Sequence, residues 1–295
     1  MAVTTLSPDI LHALTDEASP VEGGGQRSTL VVYIVIHLLP FLAFWTGVTW
    51  IDAILCLVLL QVRGLCMSAG YHRYFAHRSF KTSRLFQFLL AAGGCSALRG
   101  GPLWWTALHR HHHRFSDYPE DAHKPEDSLL WSYCGWFLSG RYNRTGYRLV
   151  KDLARYPELR WLNRWWLLPA VVLAAVTYLI GGWGSVAIGF GLSSVLLFHT
   201  QSCLDALTHR FGSQRYQTGE SSRNSWWVSL LSLGEGWHNN HHHYPVSCRS
   251  GFYWWEIDST YDTLRLLAWC GIVWDLRVPP PHVLTADLVS GPEKD

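Results

Sequence analysis

Residues 30–48 read LVVYIVIHLLPFLAFWTGV, a run with no charged side chain. That is nearly the ~20 residues an α-helix needs to cross a bilayer core. Two residues further on, 51–65 (IDAILCLVLLQVRGL) forms a second apolar run, interrupted by Asp52, Gln61 and Arg63. After a long polar interval come 165–180 (WWLLPAVVLAAVTYLI) and 185–203 (SVAIGFGLSSVLLFHTQSC), parted only by Gly181, Gly182, Trp183 and Gly184. The pattern predicts an all-α integral membrane fold. Four transmembrane helices, at about 30–48, 51–70, 165–181 and 185–205, would form two hairpins beneath a helical cap made of 71–164 and 206–281. A further run, 85–98, is too short to span and is expected to lie on the interface or dip into it.

Charge placement orients this arrangement. The turns around 49–52 and 181–184 contain no Lys or Arg, whereas the basic residues gather in the tail, the middle segment and the C-terminal third. By the positive-inside asymmetry both termini and the cap face the cytoplasm, as in a bacterial inner membrane. The Trp pairs at 104–105, 165–166, 226–227 and 254–255 suit the headgroup level. Residues 1–28 mix acidic, small and polar residues without a basic-then-apolar leader and read as a mobile tail; 282–295 read as a C-terminal tail whose last dozen residues are expected to be disordered. After His243, residues 251–274 read as one amphipathic helix on the cap.

Composition narrows the function. Charged residues are 16% of the 295, against roughly 25% in soluble domains, and the net charge is only +2 with no long basic run, which argues against a nucleic-acid surface. Seven scattered cysteines without a C-x-x-C pair exclude a disulfide scaffold or a cysteine zinc module. Histidine is the anomaly, at 16 copies. His72 and His77 form H-x4-H at the end of the second span. His109-Arg-His-His112-His113 and His238-Asn-Asn-His241-His242-His243 each place imidazoles at i, i+3 and i+4, on one side of a helix. His209 adds a ninth candidate, with Asp205 four residues before it. Nine imidazoles exceed one tetrahedral site, so two metals are the economical reading; imidazole alone does not choose among Fe, Zn, Cu and Ni. A membrane metal-binding or transport protein is the alternative, but its histidines belong inside the spans, where only His37 and His199 lie.

In this order (H-x4-H, then H-R-x-H-H, then G-E-G-W-H-N-N-H-H) the boxes resemble those of the membrane fatty acid desaturases, and more specifically the stearoyl-CoA-type Δ9 acyl-CoA desaturases and their bacterial relatives. The resemblance covers residues 70–279 and treats 29–281 as one desaturase domain. It implies two iron ions held by His72, His77, His109, His112, His113, His209, His238, His241 and His242, with O2 as co-substrate and a fatty acyl-CoA as substrate. His111, His123 and His243 fall outside that ligand set. Trp105 falls where the family lines the bend of its substrate tunnel, and Leu60 where it closes the far end; the plainer readings are an interfacial Trp and a packing Leu.

Two positions depart from the pattern. Asp205 replaces an Asn that holds an iron-bound water, and whether it would bind iron directly or through water is left open. Tyr133 stands where the family has a His. Beyond the metal ligands no catalytic residue is assigned. No H-P-G-G haem segment occurs, so electrons are expected from a separate donor, such as a ferredoxin, a cytochrome b5-like protein or an NAD(P)H reductase. Shared boxes leave open acyl-lipid or acyl-carrier-protein desaturation, or hydroxylation. Arg73, Arg78, Lys81 and Arg249 are candidates to touch a phosphorylated headgroup, or belong to a basic collar.

Overall fold

The computed structural model describes residues 26–124 and 128–289; most of the N-terminal tail, with His12, and residues 290–295 lie outside them. The described residues are mainly helical, and among them three helices are long and apolar enough to cross a membrane: Thr29–Thr46, Trp50–Ala76 and Leu168–Leu207. Their apolar side chains mostly point outward. Leu30, Val31, Ile54, Leu57, Val171 and Leu179 are all exposed, an arrangement suited to a lipid surround and costly in water.

The first begins as α1 (Gln26–Leu38) and tightens at Leu39–Leu42 into a 3-10 turn around Pro40, which cannot donate to an α-helical ladder. One more turn, Ala43–Thr46, ends at Gly47, whose φ of 72° needs a residue without a Cβ. The second helix starts as α2 (Trp50–Leu65) behind a capping box. Asp52 N donates to Thr49 Oγ1, and Thr49 N donates back to Asp52 Oδ2 at 2.8 Å. The long third run is α6 (Leu168–Gly184), then a widened π-helical stretch Ser185–Leu192, then α7 (Ser193–Leu207). It breaks at Gly181 and Gly182, where φ/ψ leave the helical region. There Ser185 Oγ donates to Asp52 Oδ1 at 2.5 Å, so the two turns expected from the sequence sit against each other.

Charges inside these helices are turned inward. Arg63 is buried, donating to Ser193 Oγ (2.6 Å), Ser194 Oγ (2.8 Å), Ser96 O (3.2 Å) and Leu59 O (3.1 Å), which ties α2 to α7. His37 and His199 meet Nε2 to Nε2 at 3.1 Å, and Tyr133 Oη donates to His199 Nδ1 at 2.5 Å, so both histidines are satisfied within the bundle. The short apolar run becomes α3 (Arg84–Ser96). It buries Leu90, Ala91, Gly94 and Cys95 against the body and leaves Leu85 and Leu89 outside, as an interface-lying helix would.

The cap is built from α4 (Pro102–Phe115), α5 (Pro157–Arg164), α8 (Trp226–Leu231), α9 (His238–His243) and α10 (Ser259–Trp269). A two-residue ribbon, β1 (Lys81–Thr82) with β2 (Val273–Trp274), clips its end to the start. Three expectations change here. The amphipathic helix begins only at Ser259, because Asp258 caps it by accepting from Tyr261 N at 2.9 Å; Trp254, Trp255 and Ile257 precede it in an exposed loop. Residues 282–289 are docked: α11 (Pro281–Thr285) buries Val283, and Leu288 bridges to Tyr216. Of the Trp pairs, Trp226, Trp227, Trp254, Trp255 and Trp165 are exposed, whereas Trp104 and Trp166 are buried, Trp104 because its Nε1 donates to Tyr142 O at 2.6 Å.

Candidate metal centre

The H-x4-H spacing has a backbone cause. After Leu65 the second helix widens into π turns over Cys66–Ala76, and His77 N donates to His72 O at 3.3 Å, an i to i+5 bond. In an α-helix residues five apart diverge by about 140°; π turns bring them toward one face, a device recurrent at functional sites. His72 and His77 rings consequently lie 4.9 Å apart.

On α4 and α9 the three-histidine motif divides. Residues i and i+4 are separated by about 40° around a helix and i+3 lies about 60° the other way. His109 and His113 accordingly join His72, His77 and His241 in one group, while His112 joins His209, His238 and His242 in a second. Within each group the candidate ligand atoms lie inside 4.8 Å of one another. All nine histidines named from the sequence are therefore brought together, in two adjacent sets.

Pairwise hydrogen bonding does not account for how the nitrogens of the larger group meet: His241 Nε2 faces both His72 and His113, and His109 Nε2 faces both His77 and His113, although each carries one proton or one lone pair. His72 and His241 approach Nε2 to Nε2 at 2.9 Å; the pairs His77–His109, His241–His113 and His209–His238 stand at 3.0 Å, and His113–His109 at 3.1 Å. Two nitrogens about 2.1 Å from one ion and at right angles would be about 3.0 Å apart. His242 Nε2 is buried with no hydrogen-bond partner at all. Residues and spacing thus fit bound metal. Burial, then repulsion among neighbouring imidazoles, pushes His109, His113, His238, His241 and His242 well below the ordinary imidazole range, which keeps them in the neutral, ligating form.

Carboxylates hold the opposite ring nitrogens of His72, His112, His209 and His242, orienting their Nε2 atoms inward. His72 Nδ1 lies 2.5 Å from Glu235 Oε2, and His112 Nδ1 lies 2.8 Å from Asp121 Oδ2. His209 Nδ1 faces Asp117 at 3.2 Å and Glu220 at 3.5 Å; Glu220 also reaches His242 Nδ1 at 3.5 Å. Burial disfavours a charge on His112, but Asp121 outweighs it and pushes that pKa up to about 9. Glu235 is buried yet held well below the usual carboxylate range, chiefly by Arg73 and His72. In the sequence Glu235 stands within G-E-G-W with no role assigned, and nothing local marks Asp121, Asp117 or Glu220.

The other candidates separate. Trp105 stacks on His109 (4.7 Å, 11° between planes) and lines a cavity of about 40 Å³ beside both groups, together with Asp205, Arg99 and Gln201. That volume holds water-sized groups, and the cavity reaches the surface at Asp205, whose side chain is 29% exposed. Asp205 belongs to neither histidine group; its Oδ2 faces Arg99 Nη2 at 3.4 Å. Leu60 lines a separate groove with Leu197, Leu231 and Leu233, and Gln201 borders both spaces. His123 borders the cavity and meets Asp121 Oδ1 at 3.3 Å. His111 is buried against Phe115, His243 stacks on Tyr216 and meets Val283 O, and His282 is exposed. Arg73 cannot reach a headgroup: it is enclosed by Glu235, Asp258 and Cys248 O. Arg78 pairs with Asp152, Lys81 with Asp275, and Arg249 lies over the Tyr261 ring.

Comparison with known proteins agrees with this geometry. A family model described as "Fatty acid desaturase" matches residues 48–268. The chain is 36% identical over 265 residues to an sn-2 palmitoyl-lipid 9-desaturase of Nostoc sp. (strain 36), covering 87% of this chain and 92% of the relative. It is 35% identical over 261 residues to an acyl-CoA 5-desaturase of Anemone leveillei (86% and 81%). An sn-1 stearoyl-lipid 9-desaturase of Synechocystis sp. is 34% identical over 256 residues (86% and 80%).

Proposed function

The chain belongs to the fatty acid desaturase family, and from that premise we propose that it inserts a cis double bond at Δ9 into a saturated long-chain acyl group, using O2 at two iron ions. The observation that supports this reading best is the pair of adjacent imidazole groups, nine histidines in all, of which His72, His109, His112, His209 and His238 line one cavity. His72, His77, His109, His113 and His241 would hold one iron and His112, His209, His238 and His242 the other. Bound iron with O2 supplies the oxidising power to remove hydrogen from an unactivated methylene, which no side-chain base can deprotonate. The chain's own contribution is to hold His109, His113, His238, His241 and His242 neutral, to aim the Nε2 atoms of His72, His112, His209 and His242 through Glu235, Asp121, Asp117 and Glu220, and to bury the site.

In this reading the substrate is an acyl-CoA of about sixteen to eighteen carbons; Trp105, flat beside His109, would flank its reactive carbons, with Leu60 at the far end. A second reading, acyl chains esterified in lipids, is favoured by the names of the Nostoc and Synechocystis relatives. We further propose that α6 and α7 cross separately, giving four spans, with the cap and both termini in the cytoplasm of a bacterial cell and electrons arriving from a separate donor. The break at Gly182 and the contact between Asp52 and Ser185 support that topology. Reporter fusions after Thr49 and after Gly182 should read the side opposite to a C-terminal fusion.

Expression in a host lacking desaturases, followed by mass spectrometry of its fatty acids, tests the chemistry. A cis Δ9 monoene that disappears in His241→Ala is the expected result. Hydroxylated products, or a bond placed at a constant distance from the methyl end, would overturn it. Membranes supplied with stearoyl-CoA or with a stearoyl phospholipid then separate the two substrates.

A further inference from the structure

We propose that the outer face of residues 151–165 is a binding surface for anionic phospholipid headgroups in the leaflet next to the cap. The segment carries Lys151, Arg155, Arg160 and Arg164, all exposed, in two pairs spaced four residues apart. Like charges at i and i+4 repel on a helix surface, and among the described residues no carboxylate pairs with them. The two acids of the stretch are engaged elsewhere: Asp152 with Arg78 and Arg110, and Glu158 with Arg84. The cations instead lie along aromatic rings, Arg155 over Tyr156 and Arg164 over Trp165, which leaves their positive charge uncompensated.

Position selects the partner. The helix α5 buries Leu159 and Leu162 inward and turns Arg160, Trp161 and Arg164 outward; Trp161 is 46% and Trp165 54% exposed. Three residues separate its end from Leu168, where the apolar run Leu168–Leu207 begins. Cations interleaved with exposed Trp at the mouth of a membrane-crossing helix combine a headgroup anchor with an attraction for acidic lipid. The opposite turns, 47–52 and 181–184, hold no Lys or Arg, so the attraction is one-sided. This surface rests on the reading of 168–207 as membrane-crossing, and not on the identity of the acyl substrate.

Native mass spectrometry of the full-length protein in detergent, titrated with phosphatidylglycerol or phosphatidylcholine, tests it. The parent chain should retain phosphatidylglycerol on the order of tenfold more tightly than phosphatidylcholine. The combined variant Lys151→Gln, Arg155→Gln, Arg160→Gln, Arg164→Gln should lose that preference, whereas Arg155→Lys, Arg160→Lys, Arg164→Lys and the distant Arg265→Gln should keep it. Equal retention of both lipids by the parent, or an intact preference in the glutamine variant, overturns the proposal. So does a glutamine variant whose only defect is a raised KM for acyl-CoA, or slower reduction by an acidic electron-donor protein. Product analysis of the same preparations reports separately on desaturation, so that reading can fail while lipid binding stands.

Discussion

The five-histidine and four-histidine groups are assembled from one motif used twice with its parts exchanged. The helix α4 gives two imidazoles to the first group and one to the second; α9 gives one and two. The widened end of the second helix then adds His72 and His77 to the larger set, and His209, just beyond α7, completes the smaller. Carboxylate support runs the other way. Among the described residues one acid, Glu235, backs the five-histidine group, whereas Asp121, Asp117 and Glu220 back the four. Neutral imidazoles bring no charge to a dication, so the group with fewer ligands carries more negative charge in its second layer. Ligand count and charge compensation are thus traded between neighbours, and substitutions at the two groups should be distinguishable.

The largest effects test whether both groups are needed. His241→Ala and His242→Ala, one from each group, should each lower activity by more than about 100-fold, and elemental analysis should show iron falling from two per chain. Activity close to the parent level in either, at normal membrane abundance, would break the pairing. His111→Ala and His243→Ala, which lie in neither group, should leave most of the activity.

Next comes the support layer. Glu235→Gln should weaken metal retention about 10- to 100-fold, measured as loss to a chelator. It should also lower stability by about 3–5 kcal/mol in thermal unfolding, because Arg73 loses one of its two buried carboxylates. Glu220→Gln should weaken metal retention at the lower end of the same range, since Asp117 still backs His209. Equal loss in the two variants would mean that the acids do not divide between the groups as the distances suggest.

The smallest expected effect lies away from the metals. If the Leu60 groove joins the cavity past Gln201 when substrate enters, Leu60→Ala should extend the accepted chain length by a carbon or two and Leu60→Trp should shorten it. An unchanged product profile in both, with normal protein levels, would restrict the substrate path to the Trp105 side.

Much of this was legible before any coordinates. Spans and histidine boxes are local signals: an apolar run and an i, i+3, i+4 repeat each announce themselves within about twenty residues. The division of each box between two groups was not, because it depends on which neighbours α4 and α9 meet. Nor was the π-helical end that makes H-x4-H workable, since no residue type marks it. The supporting acids escaped for a third reason: Glu235 and Glu220 meet His72 and His209 only through tertiary contact, and an isolated Glu in sequence looks like a solvated one. Arg73 shows the converse error. Its place beside the first box suggested a headgroup contact, yet Glu235 and Asp258 enclose it.

The contact between Asp52 and Ser185 carries a consequence for biosynthesis. Thr49 occupies one carboxylate oxygen as soon as the second helix starts, but the other waits for a hydroxyl 133 residues downstream. At ~5–20 residues per second, translation leaves that acceptor without Ser185 for roughly 7–27 s. During that time the start of the second helix is steadied by its own capping box alone, and the arrival of the second turn completes the contact.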